Sequence, residues 1–153
     1  MNNKKRSIEL NKERIKRYKE KLEYFNIIIL NLQSWIKEIK IKDFENLSLK
    51  EQFSIYHAFQ IISELIADFA AMIVKDLNKI PKNDYFNLDL LVEQKLISNE
   101  AANDLKKANG LRNRIVHNYN GIDDNIAFKG IKEGINTFNK FEEALEDWLK
   151  KHS

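Results

Sequence analysis

The sequence contains no cysteine, and it has only one proline and four glycines among 153 residues. Without cysteine the chain cannot form disulfides, thiolate nucleophiles or thiolate metal sites. Because proline and glycine are the residues that most disfavour a helix interior, their scarcity favours long, uninterrupted helices. The sequence also has no glycine-rich phosphate loop and no Gly-x-Ser-x-Gly elbow, so these two nucleotide-binding and hydrolase signatures are excluded.

Long apolar runs are missing as well. The longest purely apolar run, from Phe69 to Val74, is too short to cross a bilayer. The residues that follow Met1 are charged and lack the apolar core of a signal peptide. We therefore expect no membrane partner and a cytoplasmic location.

The size and charge of the chain suit a soluble globular protein. With 43% hydrophobic and 32% charged residues, the whole length, 1–153, is expected to form a single domain with a sizeable core. The net charge of +3 permits an RNA partner but does not require one, because a dedicated nucleic-acid surface is usually more basic.

The spacing of apolar residues predicts a long first helix. Their steps alternate between three and four, which is typical of a helix that packs along a neighbour, at Ile15, Tyr18, Leu22, Phe25, Ile29, Leu32, Ile36 and Ile39. Further apolar residues widen the stripe in the second half of the helix, at Ile27, Ile28, Leu30 and Trp35. We expect that half to meet more than one neighbour.

A connection over residues 43–47 precedes a second long helix. Ser48 and Glu51 have the spacing of a capping box, which predicts the start of this helix. Its apolar stripe includes Phe53 and continues to about Leu77, and the proline-containing segment 78–84 ends it.

Three further helices are predicted after the proline. A short helix spans residues 88–96, and Ser98 caps a long one that contains the most polar motif of the sequence. Asp123 or Asp124 caps the last helix, whose apolar stripe begins at Ile126. The predicted fold is all-α, an antiparallel up-and-down bundle of four long helices and one short one.

The motif occupies residues 110–119, Gly-Leu-Arg-Asn-Arg-Ile-Val-His-Asn-Tyr, and we expect its helix to be substantially buried. Asn113 and His117 are four residues apart and therefore project from the same face of a helix. Arg112 lies five residues before His117, about 140° round the helix, so the two align poorly within one chain. A second copy across a two-fold axis would supply the missing approach, which favours a homodimer.

The residue types of the motif suit RNA cleavage by attack of the ribose 2′-hydroxyl on the adjacent phosphate. His117 could transfer a proton near neutral pH, and Arg112 could stabilise charge on the phosphate oxygens. Asn113 would orient the histidine or form a hydrogen bond with the backbone. This chemistry needs no metal or cofactor. On spacing alone, the favoured interpretation of these residues is a polar network between helices, because short motifs often match by accident.

Glu64 and Asp68 form an acidic pair four residues apart within an apolar stretch. Two carboxylates on one face repel each other unless a cation lies between them, and we expect Arg112 or Arg114 to be that cation. The expected role is structural support of the motif helix. An acidic dyad can also hold a divalent metal, but the sequence offers no evident third ligand.

Most of the sequence resembles HepT-like proteins of the HEPN superfamily. Residues 58–64, Asp68 and 70–76 resemble the second helix of that family, and residues 90–93 and 96–98 resemble its following helix and turn. Residues 110–119, followed by Gly-Ile-Asp, are similar to the family motif in order and spacing. The N-terminal third carries little specific resemblance.

The resemblance implies a dimeric helical bundle that acts as a metal-independent endoribonuclease toxin of a toxin–antitoxin module, with tRNA as a candidate substrate. Arg112 and His117 would then be catalytic. Tyr119 would be the site at which a minimal nucleotidyltransferase antitoxin adds AMP and silences the toxin. Two alternatives stay open: a non-catalytic subunit that binds a nucleotidyltransferase or its nucleotide or substrate, and a plain helical dimerisation module.

Overall fold

The computed structural model describes residues 8–117 and 121–153, and all regular structure in these two ranges is helical. The five α-helices are α1 (Lys12–Ile36), α2 (Leu49–Asp76), α3 (Asp84–Glu93), α4 (Asn99–His117) and α5 (Asp124–His152). A 3₁₀ helix, Ile41–Asn46, joins α1 to α2. The predicted bundle of four long helices and one short one is therefore confirmed.

The predicted helix starts are confirmed at the level of individual hydrogen bonds. Ser48 and Glu51 form a complete capping box, in which each side chain accepts from the backbone N–H of the other residue. The Ser98 hydroxyl accepts from the Ala101 N–H at 3.0 Å, and Asp123 accepts from the Ile126 N–H at 3.0 Å. Each bond satisfies an amide that has no partner within its helix.

The ends of α2 and α3 explain why the short helix differs from its predicted bounds. Asn78 and Lys95 follow these two helices with φ of 60° and 59°, and in both places backbone bonds fold the chain back on the last turn. The turn at Lys95 ends α3 at Glu93. The helix begins at Asp84, because Asn83 accepts from the Phe86 N–H and caps it earlier than the apolar spacing predicts.

The centre of the bundle is aromatic and lies between α1, α2 and α5. The Tyr18 ring stacks against Phe69 with centroids 6.4 Å apart and meets Trp148 edge-on at 5.6 Å. Phe25 and Phe141 contact Phe69 from the other sides. By length and composition α2 could span a membrane, but it is the central helix of the bundle and packs against α1, α3 and α4.

The segment 43–47, predicted as a plain connection, lies largely within the 3₁₀ helix. Phe44 is fully buried there, because its ring stacks on Phe128 at 4.6 Å and meets Tyr56 at 5.4 Å. Burial of one aromatic side chain gives this short segment a fixed place on α2 and α5.

Several apolar residues predicted to be packed are exposed instead. Ile27 and Leu30 on α1 are 52% and 58% exposed, whereas Ile28 of the same widened stripe packs against the core. Trp35 is also exposed, as are Phe53 at the start of α2 and Ile126 at the start of α5. Each lies off the face its helix turns to the core, which the regular three-and-four spacing of the remaining apolar residues defines.

The N-terminal segment and the start of α1 are tied to the C-terminal ends of α5 and α2. Leu10 N–H donates to the His152 carbonyl at 2.8 Å, and His152 Nδ1 lies 2.7 Å from the Ile8 carbonyl oxygen. On α1, Arg14 Nε donates to both carboxylate oxygens of Asp76 at 3.0 and 2.9 Å. Tyr18 donates to the same carboxylate, and burial together with Asp76 raises the pKa of Tyr18 far above its usual value.

Candidate functional site

The motif helix α4 is amphipathic rather than substantially buried as predicted. Leu111 and Ile115 are buried, Arg112 is half-buried, and Asn113 and His117 are exposed. The four-residue spacing of the buried pair places the polar groups on the opposite side, where they keep their contact with water. The polar motif therefore faces outward from the single chain.

Arg112 is the motif cation that is held by hydrogen bonds to two other side chains. Its Nη2 donates to Oε1 of Glu64 on α2 at 2.9 Å, and its Nη1 donates to Oδ1 of Asn113 at 2.8 Å. Its Nε is enclosed and has no hydrogen-bond partner among the described residues. Asn113 thus bonds the arginine, not the histidine or the backbone as expected, because the long Arg112 side chain reaches across to its neighbour.

The predicted pairing of Glu64 with a motif arginine is confirmed, and two α2 residues that the sequence analysis did not select join the cluster. Gln60 Nε2 donates to Glu64 Oε1 at 3.1 Å, and His57 lies one turn before Gln60 on the same helix. Partial burial alone would raise the pKa of Glu64. The hydrogen bonds from Arg112 and Gln60 and the nearby positive charge outweigh burial and lower it. The four-residue spacing of Gln60 and Glu64 is the sequence signal that could have indicated this contact.

Asp68 does not share the cation of Glu64. Its Oδ2 accepts from Lys21 Nζ on α1 at 3.1 Å, so the prediction of Arg112 or Arg114 as its partner is wrong. Asp68 lies one turn beyond Glu64 and only about 40° round α2, yet its partner is on α1 whereas the partner of Glu64 is on α4. The two carboxylates therefore anchor two different helices to α2.

His117 is the last residue of α4 and its side chain is exposed. Within the described residues no hydrogen bond or ion pair joins it to Arg112, which agrees with their expected divergence round the helix. Asn113 lies one turn before His117 on the same exposed side. Tyr119, the predicted modification site, lies outside the described residues.

The site therefore presents Arg112, which Glu64 and Asn113 hold by hydrogen bonds, and the accessible imidazole of His117 at the end of the same helix. Over residues 8–117 and 121–153 no three histidine or carboxylate side chains come together as a metal-binding group. What the site can do by itself is hold an anion against the guanidinium and exchange a proton at the imidazole.

Comparisons with known proteins bear on this site. A family model described as ribonuclease HepT-like matches residues 9–145. A candidate RNase of Archaeoglobus fulgidus is 36% identical over 138 residues, which cover 90% of this chain and 97% of that protein. A tRNA nuclease HepT of Aphanizomenon flos-aquae is 27% identical over 118 residues, covering 71% of this chain and 80% of the relative.

The fold is shared with solved structures. A tri-AMPylated HEPN toxin of Shewanella oneidensis, solved in complex with an MNT antitoxin, superposes with a TM-score of 0.76 over 90% of this chain and 99% of that one. The two sequences are 23% identical, so this likeness concerns the fold.

Proposed function

The chain belongs to the ribonuclease HepT-like family, and from this membership we propose that it is a metal-independent endoribonuclease toxin with Arg112 and His117 as its catalytic residues. The observation that carries the proposal is the pairing of Arg112 with Glu64 and Asn113, five residues before an exposed histidine on the same helix. A plain dimerisation module has no need for an arginine held in this way.

The proposed reaction is transesterification within RNA. A base removes the proton of a ribose 2′-hydroxyl, the oxygen attacks the adjacent phosphorus, and the bond to the 5′-oxygen breaks as that oxygen takes up a proton. The products are a 2′,3′-cyclic phosphate and a free 5′-hydroxyl. The imidazole of His117 is the residue type that accepts or donates these protons near neutral pH.

Arg112 would stabilise the charge that builds on the phosphate during attack. A guanidinium has five N–H donors. In Arg112 one N–H of each terminal nitrogen is used by Asn113 and Glu64, and Nε is enclosed. One N–H on each terminal nitrogen is left for the phosphate oxygens, and Glu64 and Asn113 hold the group still while it acts.

A homodimer would complete the site, because Arg112 and His117 diverge within one chain. The accessible face of α2 next to Arg112 is suited to such contact: it carries the exposed Phe53 and two half-buried small residues, Ala67 and Ala71. The neighbouring Ala70 is fully buried in the chain's own core and is not part of this face. Two copies would place two arginines and two histidines in a common cleft.

The remaining elements of the proposal follow from the relatives. The substrate is a cellular RNA in the cytoplasm, and tRNA is the first candidate because a relative is a tRNA nuclease. The regulatory partner is a nucleotidyltransferase antitoxin of the MNT type, as in the solved toxin complex, with Tyr119 as the acceptor of AMP. A charged nucleotide on this tyrosine would repel the phosphates of an approaching RNA strand.

The test is cleavage of a mixture of cellular RNAs by the purified chain, with and without EDTA. His117→Ala should lower the rate by roughly 10²–10⁴, and EDTA should leave the wild-type rate unchanged. His152→Ala is the matched control. Because His152 lies at the far end of α5, this variant should cleave like wild type. Loss of activity in EDTA, or full activity of His117→Ala, would contradict the mechanism. Absence of cleavage together with tight binding of the nucleotidyltransferase would favour the non-catalytic alternative.

A further inference from the structure

A groove between α4 and α5 lies on the other flank of the motif helix from Glu64. It encloses about 420 Å³ and is lined by residues of these two helices only, which include Lys107 and Arg114 on α4 and Lys129 on α5. Lys107 and Arg114 are seven residues apart and therefore point the same way, about 10 Å apart along the axis. The groove is separate from the Arg112–Glu64 cluster.

Two glycines of α5 allow close packing beneath the groove. A Cβ added to Gly130 would come within 2.8 Å of Leu111 Cδ2, and one added to Gly134 would come within 3.4 Å of Phe59. The absence of a Cβ at Gly130 therefore lets α4 and α5 approach closely beneath the groove, and its absence at Gly134 leaves room for Phe59 of α2.

The three cations of the groove are not used by the fold. None of Lys107, Arg114 and Lys129 lies within 4.0 Å of a carboxylate in the described part of the chain. By contrast, the neighbouring Lys106 pairs with Asp89 at 2.6 Å. Three solvent-exposed cations on one concave surface attract a polyanion.

The groove also offers groups that a base could contact. Asp104 and Glu133 share its lining, so the net charge is +1 (three cations less two carboxylates). Carboxylates accept hydrogen bonds from the amino groups of bases. Ile126, 69% exposed at the rim, offers an apolar surface to a base. A duplex presents mostly phosphates, whereas a single strand presents both phosphates and bases.

We propose that this α4–α5 groove binds the single-stranded RNA that flanks the scissile phosphate. The proposal rests on the proposed ribonuclease function and extends it to the path of the substrate. Arg114 lies three residues before His117, so the end of the groove formed by Arg114 and Ile126 is about one helical turn from the imidazole. A strand in the groove is thereby led to the reacting group.

The experiment measures binding separately from cleavage. The probe is a short, fluorescein-labelled single-stranded RNA with 2′-O-methyl groups, which lacks the attacking hydroxyl and cannot be cleaved. Its affinity for the full chain is measured by fluorescence anisotropy over a range of salt concentrations. The variant changes Lys107, Arg114 and Lys129 to alanine, and the matched control changes three exposed lysines elsewhere, Lys12, Lys37 and Lys40, to alanine.

The groove variant should bind at least about tenfold more weakly than the control variant at low salt. Its slope of log affinity against log salt should fall by about 2, because each lost phosphate contact removes roughly 0.7 from the slope for single strands. Affinity and slope equal to those of the control would overturn the proposal, as would failure of the wild type to bind the probe.

Two further measurements distinguish this proposal from the alternatives. With cleavable RNA, the groove variant should show a raised KM and an almost unchanged kcat. If the wild type binds the probe through the groove but cleaves no RNA, the proposed function fails and the binding groove stands. If the groove variant binds RNA normally but no longer co-elutes with the nucleotidyltransferase, the groove is a protein interface and the proposal is wrong.

Discussion

Arg112 Nη2 and Glu64 Oε1, forty-eight residues apart in the chain, lie 2.9 Å from each other and join α4 to α2. The same glutamate accepts a bond from Gln60, so the guanidinium is held by a carboxylate that is itself fixed on its helix. This contact orients the guanidinium of the proposed catalytic arginine. The position of that group therefore depends on Glu64 being ionised.

Arg112→Lys should keep the fold and lose most of the activity. A lysine keeps the charge but cannot donate to Glu64, Asn113 and a phosphate from one planar group. We expect the cleavage rate to fall by roughly 10²–10³, the range found for loss of a transition-state donor. Initial rates, with circular dichroism as the check on folding, measure the effect. A lysine variant as active as wild type would show that charge alone suffices.

Glu64→Gln should destabilise the protein at neutral pH and not at acid pH. Because the folded state lowers the pKa of Glu64, its ionisation stabilises the fold above the ordinary glutamate value of about 4.3 and ceases to do so as the pH falls through the lowered value. The carboxylate is 43% exposed, so the expected loss at pH 7 is only about 0.5–1 kcal/mol. Urea unfolding at pH 7 and near pH 3 measures it. A difference that grows as the pH falls would contradict the assignment.

Asp76→Asn should destabilise the protein more strongly. Asp76 accepts from both Arg14 and Tyr18, and its side chain is only 14% exposed. Loss of its charge leaves a partly buried guanidinium without its partner, at a cost of about 2–3 kcal/mol. The control is Glu20→Gln, whose ion pair with Lys16 is well exposed, and it should change the free energy of unfolding by less than about 0.5 kcal/mol. Equal effects of the two substitutions would show that the hydrogen bonds of Asp76 add nothing to the free energy of unfolding.

Ala67→Glu should prevent dimerisation if the accessible face of α2 is the interface. The substitution places a charge on a half-buried small residue next to the Arg112 cluster. Ser34→Glu, on the exposed side of α1, is the control and should leave the dimer intact. Light scattering at micromolar concentration distinguishes the two. A wild-type monomer would count against a shared cleft, and a dimeric Ala67→Glu variant would place the interface elsewhere.

Tyr119→Phe should abolish modification by the nucleotidyltransferase. Co-expression of the wild type with an MNT-type nucleotidyltransferase should add one or more AMP units to the intact mass. The phenylalanine variant should keep its unmodified mass and remain toxic, because it lacks the accepting hydroxyl. A wild-type protein that is silenced without any mass increase would indicate inhibition by complex formation alone.

The sequence predicted those features that depend on local spacing. The capping box at Ser48 and the caps at Ser98 and Asp123 are each settled by residues within one turn, and all three are present. The contact between Glu64 and a motif arginine was also predictable, because an apolar stretch leaves a carboxylate few other partners. The three caps needed no knowledge of the packing, whereas the Glu64 contact also required α4 to lie beside α2.

Features that depend on how helices are arranged were not predictable in the same way. Asp68 pairs with Lys21 because α1 passes along that side of α2, and no spacing within α2 indicates which helix lies there. Ile27 and Ile126 have the residue type of core positions, but the rotation of their helices leaves them exposed. Phe44 was missed for the opposite reason, since its burial depends on Phe128 of a distant helix.

The bond between His152 and Ile8 closes a loop of 144 residues, nearly the whole chain. Closing a loop costs conformational entropy, and this cost rises by about 0.6 kcal/mol for each doubling of the loop length. A single hydrogen bond contributes only about 1 kcal/mol, which is too little to offset the cost of closing so long a loop by itself. The junction can therefore form only after α1 and α5 have packed on the core. We expect residues 8–10 and the last turn of α5 to be the final part of the molecule to become ordered during folding, and the first to exchange their amide protons with solvent.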